Sequence, residues 1–324
     1  MTHSSINPVA IGIDLGGTAI KGGLVAADGT ILDKNQIATE ADGGPDHVLE
    51  RIAGRIEFFK SQAAARNIPV ARVGIGAPVI LSHKTGTIIA PPNLPGWRNV
   101  PIVARLTSAI GLPVNLENDA NNAAFAEFIC GAGRGCQNMV LLTIGTGIGG
   151  GVIIDGRLFR GAFENGGELG HTIVHAGGRL CGCGQRGCLE ANASASSMTQ
   201  RAIKLLEAGR VSTLAVEWKS TGLIDGRHIA AAAVAGDALA LEVWKETCRY
   251  LAIGCINIQH AFNPQRVVFA GGISETGAFL LDGITAAYRA EASRLLGDPP
   301  EMRLAELGND AGFVGAALSA IANI

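Results

Sequence analysis

One histidine and three cysteines crowd into eighteen residues of this sequence: His171, Cys181, Cys183 and Cys188. One imidazole and three thiolates are the donor set of a closed structural zinc site, in which four protein ligands leave no open position for water. The Cys-x-Cys-x4-Cys spacing is not that of a zinc finger, but Gly182, Gly184 and Gly187 let the backbone wrap tightly enough for one ion to reach all three sulfurs. The plain alternative is a group of free buried cysteines. Seven cysteines in 324 residues are too few for a disulfide framework, so their clustering points to metal in a reducing compartment.

Two glycine turns offer a second chemistry. Asp14-Leu15-Gly16-Gly17-Thr18 and Gly145-Thr146-Gly147 each follow an apolar run. Turns without side chains let several N–H groups face one anion, and Thr18 and Thr146 add hydroxyl donors. Taken singly, each turn also reads as an ordinary tight hairpin. Asp14 ends the strand beside the first turn, where its carboxylate would repel a polyphosphate unless Mg²⁺ or its water lay between them. An aspartate at a strand end is otherwise a common turn former. Gly145-x-Gly147-x-x-Gly150 formally matches the dinucleotide fingerprint, which requires a helix to follow. Here Val152-Ile153-Ile154 and Asp155-Gly156 follow, a strand and its turn, so the match fails on context.

The elements that must position these groups show an internal duplication. Residues 10–25 read as strand, glycine turn and strand closed by Asp28-Gly29, and residues 140–154 repeat the plan up to Asp155-Gly156. The repetition predicts two similar α/β lobes that offer their turns to one polyphosphate in the cleft between them. Helical spacing marks 46–66, with Val48, Ile52, Ile56 and Phe59 on one side, and 73–77 and 114–116 read as short buried strands. Asp119 stands where the second of these gives way to an alanine-rich helix. Prolines make 91–97 a loop. Residues 194–206 and 229–262 are expected to be largely helical, 267–270 a strand and 312–321 a last helix.

Composition narrows the function classes. Hydrophobic residues make up 48% and charged residues 17%, as in a compact globular protein, and a net charge of −2 leaves no footprint for nucleic acid or an anionic membrane. The polar start lacks the features of a signal peptide, which predicts a cytoplasmic protein. The uncharged run 136–154 is long enough to span a bilayer, but its five glycines make a poor helix.

Together the motifs resemble the ROK family (repressor, open reading frame, kinase) of the actin-like ATPase superfamily. They are Asp14-Leu15-Gly16-Gly17-Thr18, Glu117-Asn118-Asp119-Ala120-Asn121, Gly145-Thr146-Gly147-x-Gly149-Gly150-Gly151, Glu168-x-Gly170-His171, the cysteine segment from Cys181 through Cys188-Leu189-Glu190, and Ala270-Gly271-Gly272-Ile273. They run in family order across nearly the whole chain. The resemblance implies an α/β, two-lobed actin-like (ribonuclease H-like) ATPase fold with an interlobe cleft. Its small domain would comprise residues 1–117 completed by the C-terminal helix 312–324, and its large domain residues 118–311 with the zinc loop.

It further implies an ATP- and Mg²⁺-dependent hexose kinase with Asp119 as general base, although a helix N-cap is the competing reading of that residue. Asn118, Asp119, Glu168, His171 and Glu190 match the family's sugar-binding set, joined by Gly76 and by Asn93 of Asn93-Leu94-Pro95-Gly96-Trp97, a loop that also reads as a simple proline-rich connection. Asp14, Gly16, Gly17, Thr18, Gly145, Thr146 and Gly147 match the phosphate side, and Gly271 and Gly272 the adenosine side, where a side chain would collide with the nucleotide. His171 would ligate zinc with one ring nitrogen and meet the sugar with the other. A homodimer or dimer of dimers is the family expectation. Family repressors carry a DNA-binding helix-turn-helix before the first phosphate motif, where this sequence has thirteen residues. A silent sugar sensor would be expected to lack the base or a phosphate turn. The Asn93 segment with a full zinc motif resembles the glucokinase branch, with N-acetylmannosamine, fructose and allose as rival substrates.

Overall fold

The computed structural model describes residues 8–78, 81–89, 94–293 and 297–324. In chain order the elements are β1 (Val9–Leu15), β2 (Ala19–Ala26), β3 (Ile31–Ala38), α1 (Gly44–Ala65), β4 (Val70–Ala77), β5 (Leu81–Ser82), β6 (Thr87–Ile88), α2 (Ile102–Ile110), β7 (Val114–Asn118) and α3 (Asp119–Cys130). The second half continues with β8 (Met139–Ile144), β9 (Ile148–Ile154), β10 (Arg157–Leu158), α4 (Leu189–Ala193), α5 (Ala195–Glu207), α6 (Leu214–Thr221), α7 (Gly226–Val234), α8 (Ala238–Phe262), β11 (Arg266–Ala270), α9 (Ala278–Glu291), β12 (Glu301–Leu304) and α10 (Ala311–Ala322).

Each half builds a sheet of the same plan. The first runs β3-β2-β1-β4-β7 and the second β10-β9-β8-β11-β12. In both, the first three strands in sequence form an antiparallel meander, and the last two add in parallel on the other side of the first. The two hairpins expected from the duplicated motif are therefore the centre of each sheet.

Strand alternation decides what each face sees. Along β1, Val9, Ile11, Ile13 and Leu15 join the core under α1 and α2, while Ala10 faces a third core between the two sheets. On that second face the residues are small because α10 lies against them. A Cβ on Gly12 would sit 1.8 Å from the Phe313 carbonyl oxygen, and one on Gly74 would sit 1.8 Å from that of Ala316. Along β8, Val140, Leu142 and Ile144 enter the core beneath α4 to α9, and Met139 and Leu141 face the inter-sheet core with α3. The helices cross over: α3 follows the last strand of the first sheet and packs on β9 and β8, whereas α10 follows the last strand of the second and packs on β1 and β4. They meet where a Cβ on Gly315 would strike the Asn122 carbonyl oxygen at 1.8 Å.

Most expected elements are present. The helical stretch 229–262 is two helices, because Gly236 takes φ 88° and Asp237 caps α8 by accepting from the Ala240 N–H at 2.9 Å. The apolar run 136–154 forms β8 and β9 as strand, turn and strand. No helix among the described residues is long and apolar enough to cross a membrane. Of the proline loop, Leu94 and Trp97 are buried in the first core, and Asn93 lies outside the described residues.

Candidate active site

The base candidate sits at the start of α3. Asn118, in extended conformation, is the N-cap, its side-chain oxygen accepting from the N–H groups of Ala120 at 2.9 Å and Asn121 at 3.1 Å. Capping therefore falls to Asn118, and Asp119, at the first helical position, is not needed for that role. Its carboxylate accepts the Ala120 N–H at 2.8 Å and is half-buried. Burial, followed by the negative charge of Asp14, pushes its pKa up to about 6 against the pull of the Ala120 N–H, and Glu168 adds to the rise. Such a carboxylate is ionised at neutral pH yet keeps enough proton affinity to act as a base. Burial likewise raises Asp14, and the charge of Lys21 partly offsets it.

Asn118, Asp119, Glu168, His171 and Glu190 line one cavity of about 480 Å³, whose other walls include Gly145, Gly147 and Gly271. A second cavity of about 490 Å³ opens beyond Gly145 and Thr146, lined by Gly272 and by Ser196, Thr199 and Gln200 from α5. Gly145 belongs to both, so the second glycine turn is the threshold between a chamber rich in carboxylate, amide and imidazole groups and a neighbouring one.

The candidate metal ligands adjoin the first chamber, whose wall includes His171. The donor atoms of His171, Cys181, Cys183 and Cys188 all lie within 4.8 Å of one another. Cys183 Sγ and Cys188 Sγ are 3.7 Å apart, as are Cys181 Sγ and His171 Nδ1. Zinc–sulfur bonds of about 2.3 Å in a tetrahedron put two sulfurs roughly 3.8 Å apart, so the sulfur pair already has the spacing of a ligated edge. Cys188 is also the N-cap residue of α4, so the loop that gathers the thiolates sets where that helix starts and where Glu190 in its first turn points. Glu190 Oε2 accepts the Ile148 N–H at 3.0 Å, and a Cβ on Gly147 would lie 2.4 Å from it. A side chain at position 147 would therefore have to displace the Glu190 carboxylate.

Other candidates are placed differently. Gly16, Gly17 and Thr18 line neither chamber; their turn is pinned to Thr39, whose hydroxyl donates to the Gly16 carbonyl at 2.6 Å and whose N–H donates to that of Thr18 at 2.9 Å. A Cβ on Gly76 would meet the Asn122 amide nitrogen at 2.8 Å, and Pro78, two residues on, lines the chamber. Gly271 lines the first chamber with φ 90°, and a Cβ there would strike the Ile144 carbonyl oxygen of β8 at 2.5 Å; Gly272 opens on free space. The sequence reading missed Glu117 and Arg160 behind the base, and the α5 wall. Ser196, Thr199 and Gln200 recur at helical spacing, but that signal is shared by any solvated helix face.

Two sheets of one plan and an exchanged helix packed on each define an α/β protein of the two-lobed actin-like ATPase fold. The chain belongs to the ROK family, whose model matches residues 10–323. It is 37% identical over 306 residues to a glucokinase of Halalkalibacterium halodurans, covering 94% of this chain and 92% of that protein. The ROK hexokinase from Thermus thermophilus shares the fold with a TM-score of 0.84 at 35% identity, over 97% of this chain and 98% of that one. The ROK family glucokinase from Streptomyces griseus, solved in complex with glucose and AMPPNP, matches with a TM-score of 0.80 at 35% identity, over 97% and 99% of the two chains.

Proposed function

We propose that this protein phosphorylates glucose at O6, with Asp119 as the general base. The protein is an ATP-dependent hexose kinase, as its family, the glucokinase similarity and the glucose and AMPPNP of its structural relative support. The observation that carries the finer reading is the chamber in which Asp119, at a pKa of about 6, faces Asn118, Glu168, His171 and Glu190 beside a glycine turn. Carboxylates, an amide and an imidazole bind paired ring hydroxyls by matching donors and acceptors. Asp119 takes the proton of the attacking hydroxyl as it meets the γ-phosphoryl group in line, and N–H groups of the Gly145-Thr146-Gly147 turn stabilise the charge that develops. ATP reaches that turn from the chamber lined by Gly272 and α5. Mg²⁺ at Asp14 would neutralise phosphate charge. Zinc at His171, Cys181, Cys183 and Cys188 would fix the imidazole's orientation and the start of α4.

The fold supports a small domain of residues 1–117 plus the C-terminal helix, 312–324, and a large domain of 118–311, through the way α10 packs back on the first sheet. A cytoplasmic homo-oligomer completes the reading. The test is an ADP-release assay with MgATP against glucose, N-acetylmannosamine, mannose, fructose and allose. The expected outcome is the highest kcat/KM with glucose. Preference for another hexose would overturn the substrate alone, and silence on all would overturn the kinase in favour of a sugar sensor.

A further inference from the structure

Behind the base lies a buried ion pair that joins the two halves of the chain. Glu117, the residue before the α3 cap, is 2% exposed. Its Oε1 accepts the Asn118 N–H at 2.8 Å and the Asn121 amide at 2.9 Å, and the His83 imidazole stands 3.4 Å away. Its Oε2 accepts both Nε, at 2.7 Å, and Nη2 of Arg160. A guanidinium fork on one buried carboxylate oxygen is a strong, geometrically exacting contact. Arg160 comes two residues after β10 in the second sheet, so the pair ties that sheet's outer end to β7 of the first.

Arg160 also begins the segment that delivers the hydroxyl-binding groups. The Gly166 N–H donates to the Arg160 carbonyl at 2.7 Å, closing a loop, and Glu168 and His171 follow directly. The same loop is fastened to the first half a second time, by Glu164 Oε2, which accepts the His83 N–H at 2.9 Å. Glu117 is therefore bonded on one side to the first turn of the helix that begins with Asp119, and on the other to the loop that carries Glu168 and His171. Burial would raise the Glu117 pKa, but His83 and Arg160 outweigh it and hold it below the ordinary value, so the carboxylate is charged and engaged.

We infer that Glu117 and Arg160 form a positioning clamp that keeps the base-bearing end of α3 in register with the Glu168–His171 loop, so that base and hydroxyl-binding groups act as one rigid unit. The clamp rests on the kinase reading for its kinetic consequence but not for its structural one. Neither residue reaches the reacting atoms. A displacement of about 1 Å between a base and its hydroxyl can cost on the order of 10²-fold in rate, which sets the scale of what the clamp protects.

Three variants test it: Arg160→Lys, which keeps the charge and loses the fork; Arg160→Gln; and Glu117→Gln/Arg160→Gln, which removes both charges. Backbone amide exchange is read on each, together with kcat and KM for sugar and ATP and the pH profile of kcat/KM. Arg160→Gln should speed exchange on both sides of the pair, around Ala120 and Asn121 and around Gly166 to His171. It should lower sugar kcat/KM by about 10- to 100-fold while leaving KM for ATP little changed. The acid limb set by Asp119, which already faces Asp14 and Glu168, should move to higher pH in Arg160→Gln, where the Glu117 charge loses its partner but keeps His83. The double variant should bring the limb back, and Arg160→Lys should fall between Arg160→Gln and the wild type. Exchange that rises on one side alone, or an Arg160→Gln enzyme with wild-type kcat/KM and acid limb per folded molecule, would overturn the clamp. A wild-type protein silent on every sugar would overturn the kinase reading, and the exchange pattern would still decide the clamp.

Discussion

The two central hairpins share a sheet position and differ in what they carry. Asp14 is the penultimate residue of β1, and Thr143 is the penultimate residue of β8. Asp14 pairs across its hairpin with Lys21, and Thr143 with Gly149. Asp14 is backed by α10, where a Cβ on Gly312 would lie 2.7 Å from its carboxylate, while the Thr143 hydroxyl accepts the Gly149 N–H at 3.1 Å. The first turn is tied to Thr39 and stands outside both chambers. The second is tied to α5 through the Gly145 carbonyl, which accepts the Ala195 N–H at 2.9 Å, and borders both. The two copies share one frame; the first carries charge at Asp14, and the second a close backbone approach to Glu190.

The largest effect is expected at Asp119, where the first half hands the chain to the second. Asp119→Ala should lower kcat by about 10²- to 10⁴-fold while sugar binding, read by calorimetry, largely persists. A near-normal kcat would remove Asp119 from the base role and leave the charge gathered on the first half without a catalytic purpose.

Next in size is the cluster of His171 and the three cysteines, which belongs to the second half alone. Cys183→Ser should release zinc, lower the melting temperature and weaken sugar affinity on the order of 10- to 100-fold, because the loop of thiolates sets the start of α4 and the aim of Glu190. Metal absent from the wild-type protein, with an unchanged melting temperature in the variant, would show that the cluster is a set of free thiols and that Glu190 is held by Ile148 without it.

How far these features were legible in the sequence follows the same division. The hairpins, α1, β4, β7, α3 and α10 were readable because each is a buried, strongly patterned element. β3 and β12 were not, since edge strands such as Asp33-Lys34-Asn35-Gln36 carry too few buried positions to show a period. The ligand cluster was legible because three cysteines in eight residues are rare. The Glu117–Arg160 pair was not, because 43 residues separate partners that only the meeting of two sheets brings together. The reason for glycine at position 271 was hidden in a related way: its positive φ and its approach to the Ile144 carbonyl depend on the neighbouring strand, which no local pattern reveals.

A finer test sets the turns against each other. Gly147→Ala places a methyl group 2.4 Å from the Glu190 carboxylate, whereas Gly16→Ala places one 3.0 Å from the Ala19 carbonyl within its own turn. The first should raise KM for sugar by about tenfold or more by displacing Glu190. The second should act on KM for ATP and by less. Equal effects on both substrates would mean that the turns are equivalent and that the specialisation is illusory.

The smallest expected effect is on stability, and it separates the charge of the first half from the geometry of the second. The folded state holds the Asp119 proton more tightly than the unfolded chain does, with a pKa of about 6 against an ordinary 3.8. The linked stabilisation is therefore fully present below the ordinary pKa and is lost as pH rises through 6. Asp119→Asn removes that loss. Its melting temperature should match the wild type near pH 4 and exceed it near pH 8, while the kcat/KM of the wild type falls about tenfold per pH unit below 6. Because the charge of Asp14 contributes to the rise and the neutral Thr143 does not, Asp14→Asn should shrink the pH-dependent difference in melting temperature and Thr143→Val should leave it. If Thr143→Val shrinks it equally, the raised pKa comes from packing around the second turn, and the division of labour between the hairpins fails at the group it is meant to serve.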